Sequence, residues 1–327
     1  MKCRIGIVGA GNVAARHAQV LGGFPDVRIA AVADTDTARA ARLAGRCGAA
    51  VYGDHKAMLQ DGGLDAVYVC VPPFAHGPIE LDVLDAGLAM FVEKPLALDE
   101  RTARTVADAA RRAGVVTAVG HHWRYLDVLD EARRLLADRP IRLALGVWLD
   151  KIPPVPWWTR RDGSGGQVIE QAVHVLDLAR ALVGEVAEVS AHESGYPPER
   201  EEGAIGAATG ALLRFRGGAS GILGATCLLG WKHRAGLEVY AEGIAVEVAE
   251  DRLVADTGDG RVEVTDPGDA KRRVDRAFVD AVLGRGDDVR VPYEEALRTH
   301  RLACAIARAA TTGEPVAVPD EPGDEHG

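Results

Sequence analysis

At 327 residues, 47% hydrophobic and 26% charged, the chain has the make-up of a folded globular protein and the length of two domains. Its formal net charge of −10 argues against a nucleic-acid partner, which needs a basic stripe to displace counterions from phosphates. No stretch approaches the ~20 apolar residues that cross a bilayer, and the first residues run straight into a glycine-rich turn without a signal-peptide core, so a cytoplasmic protein with no membrane partner is expected.

Cys3 to Val8 reads as a strand, followed at once by Gly9-Ala10-Gly11-Asn12-Val13-Ala14 and a helical pattern from Ala15 to Leu21. The two glycines let the chain turn tightly and bring backbone amides to a diphosphate at the helix N-terminus, while the third position needs only a small residue, here Ala14. A second strand, Val27 to Ala33, ends at Asp34. A carboxylate about 20 residues beyond such glycines accepts hydrogen bonds from both ribose hydroxyls of a dinucleotide. It would repel a 2′-phosphate, and Thr35-Asp36-Thr37 intervenes before Arg39, so the pattern favours NAD and leaves NADP open. The competing reading of Asp34 is as a cap for the helix starting near Thr37.

A helix from Thr37 to Arg46 and a strand from Leu64 to Val71 follow, the strand ending in Pro72-Pro73-Phe74-Ala75-His76. Two prolines cannot continue a ladder and turn the chain outward at the sheet's carboxyl edge. His76 either contacts the cofactor or begins the helix Gly77 to Ala86. Leu88 to Val92 is a short apolar run between Gly87 and Pro95, a buried parallel strand that stops in Glu93-Lys94-Pro95. Lysine at the carboxyl end of such a strand sits where open α/β sheets bind ligands. A helix from Asp99 to Ala113 and a strand from Val115 to Val119 complete a doubly wound Rossmann domain over residues 1–120. Its cofactor-binding candidates are Gly9, Gly11, Asn12, Val13, Asp34, Pro72, His76, Glu93 and Lys94.

From Gly120 the pattern changes. His121-His122-Trp123-Arg124-Tyr125 opens a helix to about Asp138, and a strand runs from Ile141 to Leu149. In the loop Pro153-Pro154-Val155-Pro156-Trp157-Trp158, Trp158 either fills the core or presents a flat wall to a sugar. Gly163-Ser164-Gly165-Gly166 leads into a helix, Gln167 to Arg180, on which Glu170, His174 and Asp177 are spaced i, i+4, i+7 and so share one face. Strands then follow at Val189 to Glu193, Gly206 to Phe215, Ser220 to Leu229, Gly236 to Ala241, Ile244 to Val248 and Arg261 to Thr265, with closing helices near Lys271 to Leu283 and Glu294 to Ala310. Residues 121–313 are thus an α+β domain with a large, mostly antiparallel open sheet, whose uncovered face calls for a homodimer or homotetramer. Residues 314–327 read as an acidic, disordered tail. Five scattered cysteines, odd in number, point to reduced thiols, with no disulfide and no bound metal.

Taken together, Gly9 to Ala14, Glu93-Lys94-Pro95 and the segment from Gly165-Gly166 to Asp177 resemble the Gfo/Idh/MocA family (glucose-fructose oxidoreductase and inositol dehydrogenase), in order and spacing, from Lys2 to about Ala310. The resemblance implies an NAD(P)-dependent dehydrogenase acting on a small-molecule sugar, cyclitol or polyol derivative. It implies that Lys94 contacts substrate and nicotinamide ribose and that His174 is the acid/base. Glu170 stands where many members have aspartate, and would hold the imidazole. The same resemblance points to His122, Trp123 and Arg124, with Gln171, as substrate-binding residues. Asp177 either buttresses its helix or hydrogen-bonds substrate. Alcohol oxidation needs a base on the hydroxyl and a cation beside the developing alkoxide, roles that suit His174 and Lys94. Two rival expectations are net non-redox sugar chemistry through transient NAD reduction and a catalytically silent dinucleotide-dependent sensor or corepressor.

Overall fold

The computed structural model describes residues 2–61, 63–195 and 203–319. The described residues form two compact units, one within 2–125 and 269–297, the other within 126–268 and 298–319.

In the first unit, β1 (Cys3–Val8), β2 (Val27–Ala33), β3 (Ala50–Tyr52), β4 (Ala66–Val69), β5 (Ala89–Val92) and β6 (Thr117–Val119) make a parallel sheet in the order β3-β2-β1-β4-β5-β6. Helices α1 (Asn12–Gly22), α2 (Thr37–Cys47), α3 (His55–Gln60), α4 (Pro78–Asp85) and α5 (Glu100–Ala113) connect the strands. Strand order reverses between β1 and β4, so the connections leaving their carboxyl ends part there and open the crevice where such sheets bind ligands. Every residue of β4 and β5 is buried, which is why these strands read as unbroken apolar runs and not as alternation. The sequence shows no clear sign of β3 or α3. Three residues carry too little period to detect, and α3 announces itself only by Asp54, whose carboxylate accepts the Lys56 N–H at 3.2 Å.

The second unit contains α6 (Asp127–Leu136), β7 (Ile141–Leu149), the short α7 (Arg161–Ser164), α8 (Val173–Val183), β8 (Val186–Ser194), β9 (Ala208–Phe215), β10 (Ser220–Thr226), β11 (Arg234–Ala241), β12 (Ile244–Ala249), β13 (Arg252–Asp256) and β14 (Arg261–Thr265). With a last strand β15 (Val316–Ala317), its nine-stranded sheet runs β14-β13-β12-β11-β7-β10-β9-β8-β15, antiparallel except between β7 and β10. Helix α8 covers one face so closely that a Cβ on Gly146 of β7 would lie 2.7 Å from Val175. On strands β9 and β10, the outward positions Leu212 and Ile222 face each other across the ladder and are 61% and 45% exposed.

Two expectations change here. The last strand, β15 (Val316–Ala317), pairs with β8, and Val318 buries its side chain while donating its N–H to Ala187, so the segment just after 313 is structured. The acidic residues from 320 on lie outside the described residues. Helix α9 (Ala270–Val282) packs with the first unit. Its Phe278 is fully buried with its ring 5.5 Å from Tyr68 and 5.6 Å from Phe91, and Arg276 pairs with Asp26 at 2.9 Å. The final helix, α10, is Tyr293–Thr312.

Candidate active site

The turn from β1 into α1 is built for an anionic ligand. Gly9 has φ +90°, and a Cβ there would lie 2.2 Å from the Cys70 carbonyl oxygen, so only glycine fits. At Gly11 an added Cβ meets nothing within 4 Å, leaving room for a ligand to approach the backbone. Helix α1 has no side-chain cap and no acidic residue in its first turn, so its leading amides and the positive end of its dipole would meet an anion unopposed. Asn12 and Val13 are exposed at that helix start. Asp34 is held on both oxygens, Oδ2 accepting the Ala10 N–H at 2.7 Å and Oδ1 the Asp36 N–H at 2.8 Å. The cap of α2 is Asp36, which accepts the Arg39 N–H at 3.0 Å, so the capping reading of Asp34 gives way. Asp36 also pairs with the Arg39 side chain at 3.1 Å, engaging the nearest arginine in sequence. These groups fit a dinucleotide: Gly9, Gly11, Asn12 and Val13 would hold the diphosphate and Asp34 the ribose.

At the end of β5, Glu93 is 6% exposed and its carboxylate is fully engaged. Oε1 meets His17 Nε2 at 2.8 Å and Arg16 Nη2 at 3.1 Å, and Oε2 accepts the Lys94 backbone N–H at 3.2 Å. Burial alone would raise Glu93, but the hydrogen bond and charge of His17, with Arg16 and Lys94, bring it down to about 2. His17 in turn faces Asp275 of α9, Nδ1 to Oδ1, at 2.7 Å. Burial works against the imidazolium, yet the Asp275 and Glu93 carboxylates outweigh it and push His17 up to about 9. Glu93 is thus a buried carboxylate engaged on both oxygens by the protein itself. His17 and Asp275 were outside the expected set. His17 was findable: with Ala14, Ala18 and Leu21 it occupies the buried stripe of α1, an odd place for a titratable group.

At the ends of β4 and β6 the expected contacts divide. Pro72 precedes a 3₁₀ turn, Pro73–Ala75, as the outward turn requires. His76 is buried, its Nδ1 bonded to Glu80, whose other oxygen accepts the Gly77 N–H at 2.6 Å at the start of α4. That geometry supports the helix-start reading. His122, Trp123 and Arg124 form a buried 3₁₀ turn. Trp123 is 1% exposed, and Arg124 pairs with Glu295 at 3.0 Å, so its charge is already matched.

In the second unit, residues Val168–Ala172 form a π-helical turn ahead of α8. The wider turn carries Glu170, while His174 and Asp177 lie on the regular α-helix that follows. Glu170 accepts the Trp158 indole N–H at 2.6 Å. His174 stacks on Trp148, centroids 5.7 Å apart and planes inclined by 26°. Asp177, wholly buried, accepts from Thr299 Oγ1 at 2.8 Å and lies 3.9 Å from Arg180, contacts of the kind a buttress makes. Trp158 is likewise fully buried, clustered with Ile205 and Cys227; a ring with no exposed face cannot be a sugar wall, and it serves to hold Glu170. Gln171 accepts from Gln167 Nε2 at 3.0 Å. The Oε1 of Gln167, a residue the sequence did not single out, is buried without a hydrogen-bond partner among the described residues.

Residues 3–121 match the family model described as oxidoreductase family, NAD-binding Rossmann fold, and residues 140–246 match the GFO/IDH/MocA C-terminal domain. An inositol 2-dehydrogenase of Rhizobium meliloti (strain 1021) is 31% identical over 57% of this chain and 56% of its own length. A myo-inositol 2-dehydrogenase of Thermotoga maritima is 26% identical over 98% of this chain and 92% of its own. The match to the first of these, as to other similar curated proteins, spans little more than half of the relative's length. A solved levoglucosan dehydrogenase in complex with NADH shares the fold with a TM-score of 0.88 at 22% identity, over 98% of this chain and 100% of that one. With both models of one family matched in order along it, the chain belongs to the Gfo/Idh/MocA oxidoreductase family.

Proposed function

We propose that the protein is an NAD-dependent dehydrogenase that moves a hydride between the nicotinamide and a secondary hydroxyl or ketone of a sugar, cyclitol or related polyol. The observation that carries this reading is the uncapped start of α1 beside the open space at Gly11 and the doubly held Asp34 carboxylate, in a chain whose relatives are named as inositol and glucoside dehydrogenases. A carboxylate at the ribose, with Arg39 engaged by Asp36, favours NAD over NADP. When bound, the nicotinamide supplies the hydride acceptor.

His174 takes the hydroxyl proton, since imidazole ordinarily titrates near neutrality, and stacking on Trp148 restricts its ring. Lys94 contributes positive charge beside the developing alkoxide. Glu170, fixed by Trp158, stabilises the protonated imidazole. Gln171 and the unsatisfied Gln167 Oε1 offer hydrogen bonds suited to a polyhydroxylated substrate. The exposed apolar pair Leu212 and Ile222 supports a homodimer or homotetramer through the open sheet face.

The test is a screen of inositols, aminocyclitols, free hexoses and nucleotide sugars with NAD and NADP, following absorbance of the reduced ring, on wild type, Lys94→Ala and His174→Ala. Each substitution should abolish turnover and leave NAD affinity within about threefold, less than 1 kcal/mol. Turnover retained by either variant overturns that residue's assignment.

A further inference from the structure

The buried line Asp275, His17, Glu93 takes no part in the chemistry proposed above, and its geometry is unusually constrained. Both ring nitrogens of His17 face carboxylate oxygens, at 2.7 Å and 2.8 Å. A neutral imidazole donates through one nitrogen only and would turn a lone pair toward the other carboxylate; the imidazolium satisfies both. The surroundings keep water out. His17 is 2% exposed and Asp275 0%, and the rings of Tyr68 and Phe91 lie 5.3 Å and 5.1 Å from the imidazole. Glycine at 120 leaves room for the Glu93 carboxylate, since a Cβ there would lie only 2.7 Å from it.

From this geometry, and resting on the reading of Lys94 as the catalytic cation, we infer that His17 and Asp275 are positioning residues for Lys94. Asp275 orients the His17 ring, His17 fixes one oxygen of Glu93, and the other oxygen holds the Lys94 main-chain N–H. The side chain of Lys94 therefore extends from a fixed root. Helix α9 also has contacts that do not involve Asp275, Phe278 against Tyr68 and Phe91 and Arg276 with Asp26. The other charged or titratable groups that bear on the line, among the described residues, are Arg16 from α1, Tyr68 and Cys70 from β4 and its end, and Lys94 itself.

The experiment uses the full chain with NAD and a polyol accepted in the screen, comparing wild type, Asp275→Asn, His17→Gln and the double variant. Misplacement of a catalytic group by under 1 Å is expected to lower kcat by about 10- to 100-fold, with NAD affinity within about threefold. Because the imidazolium is held up by Asp275, the alkaline limb of kcat in Asp275→Asn should move down by about one pH unit or more, while the acid limb stays in place. Adding Asp275→Asn to His17→Gln should cost nothing further. An unmoved alkaline limb, or effects that multiply, overturns the inference. Should His17→Gln fail to fold, the isosteric Asp275→Asn carries the test alone. Failure of the catalytic reading shows separately, as turnover retained by Lys94→Ala. In that event the ¹⁵N titration of the His17 ring in NAD-free protein still decides the coupling, which is refuted if Asp275→Asn does not bring it to lower pH.

Discussion

Asp34 and Glu93 are both carboxylates held on both oxygens at strand ends, yet they serve different ends. Asp34 accepts two backbone N–H groups and remains half-buried, whereas Glu93 is closed in by side chains. Replacing Asp34 with alanine removes a charged acceptor for the ribose hydroxyls, and hydrogen bonds to charged groups are worth about 1.5–3 kcal/mol. NAD affinity, measured by calorimetry, should therefore fall by about 10- to 100-fold, and the preference over NADP should shrink. Unchanged NAD affinity would remove Asp34 from the cofactor site. The position of both acids was legible because each follows directly on an apolar strand. The line behind Glu93 was not, since His17 lies 76 positions from Glu93 and Asp275 lies 258 from His17, and no local pattern links them. Trp158 shows the same limit. Its sequence context permitted a core or a binding role, and only its burial against Glu170 decides between them.

The turn between β1 and α1 contains two glycines that the sequence motif treats alike and the structure separates. Gly9→Ala would combine a positive φ with a Cβ 2.2 Å from the Cys70 carbonyl oxygen, and should destabilise the fold by about 2–4 kcal/mol in thermal or denaturant unfolding. Gly11→Ala meets no protein atom, so its melting temperature should match wild type while NAD affinity falls. The reverse pattern would mean that Gly11 is structural and that its open space is not a ligand site. The helix carrying His174 tells the opposite story about periodicity. A 3.6-residue repeat describes α8, which carries His174 and Asp177, but the π-helical turn at Val168–Ala172, which carries Glu170, lengthens the repeat just ahead of it. Such a turn leaves no mark in hydrophobic spacing, because nearly all residues from Val168 to Arg180 are buried whichever way they point.

Across the whole molecule, the doubly wound sheet and the larger antiparallel one were legible because strands and helices alternate in the first and strands follow one another in the second. Membership of α9 in the first unit was not, since an amphipathic helix declares that one face is buried and not against which sheet. The open face of the second sheet gives a test of assembly. Ile222→Lys, set opposite Leu212, places a charge in an apolar patch and should reduce the mass measured by light scattering to that of a single chain, with far-ultraviolet dichroism unchanged. A single-chain mass for wild type would exclude the proposed oligomer.

The late arrival of α9 also bears on biosynthesis. A nascent polypeptide that has delivered β6 lacks Phe278, and the Tyr68 and Phe91 rings have no aromatic neighbour from that helix until the ribosome has added the rest of an intervening sheet. The Rossmann sheet therefore gains its last packing element only after the strands of the second sheet have been translated.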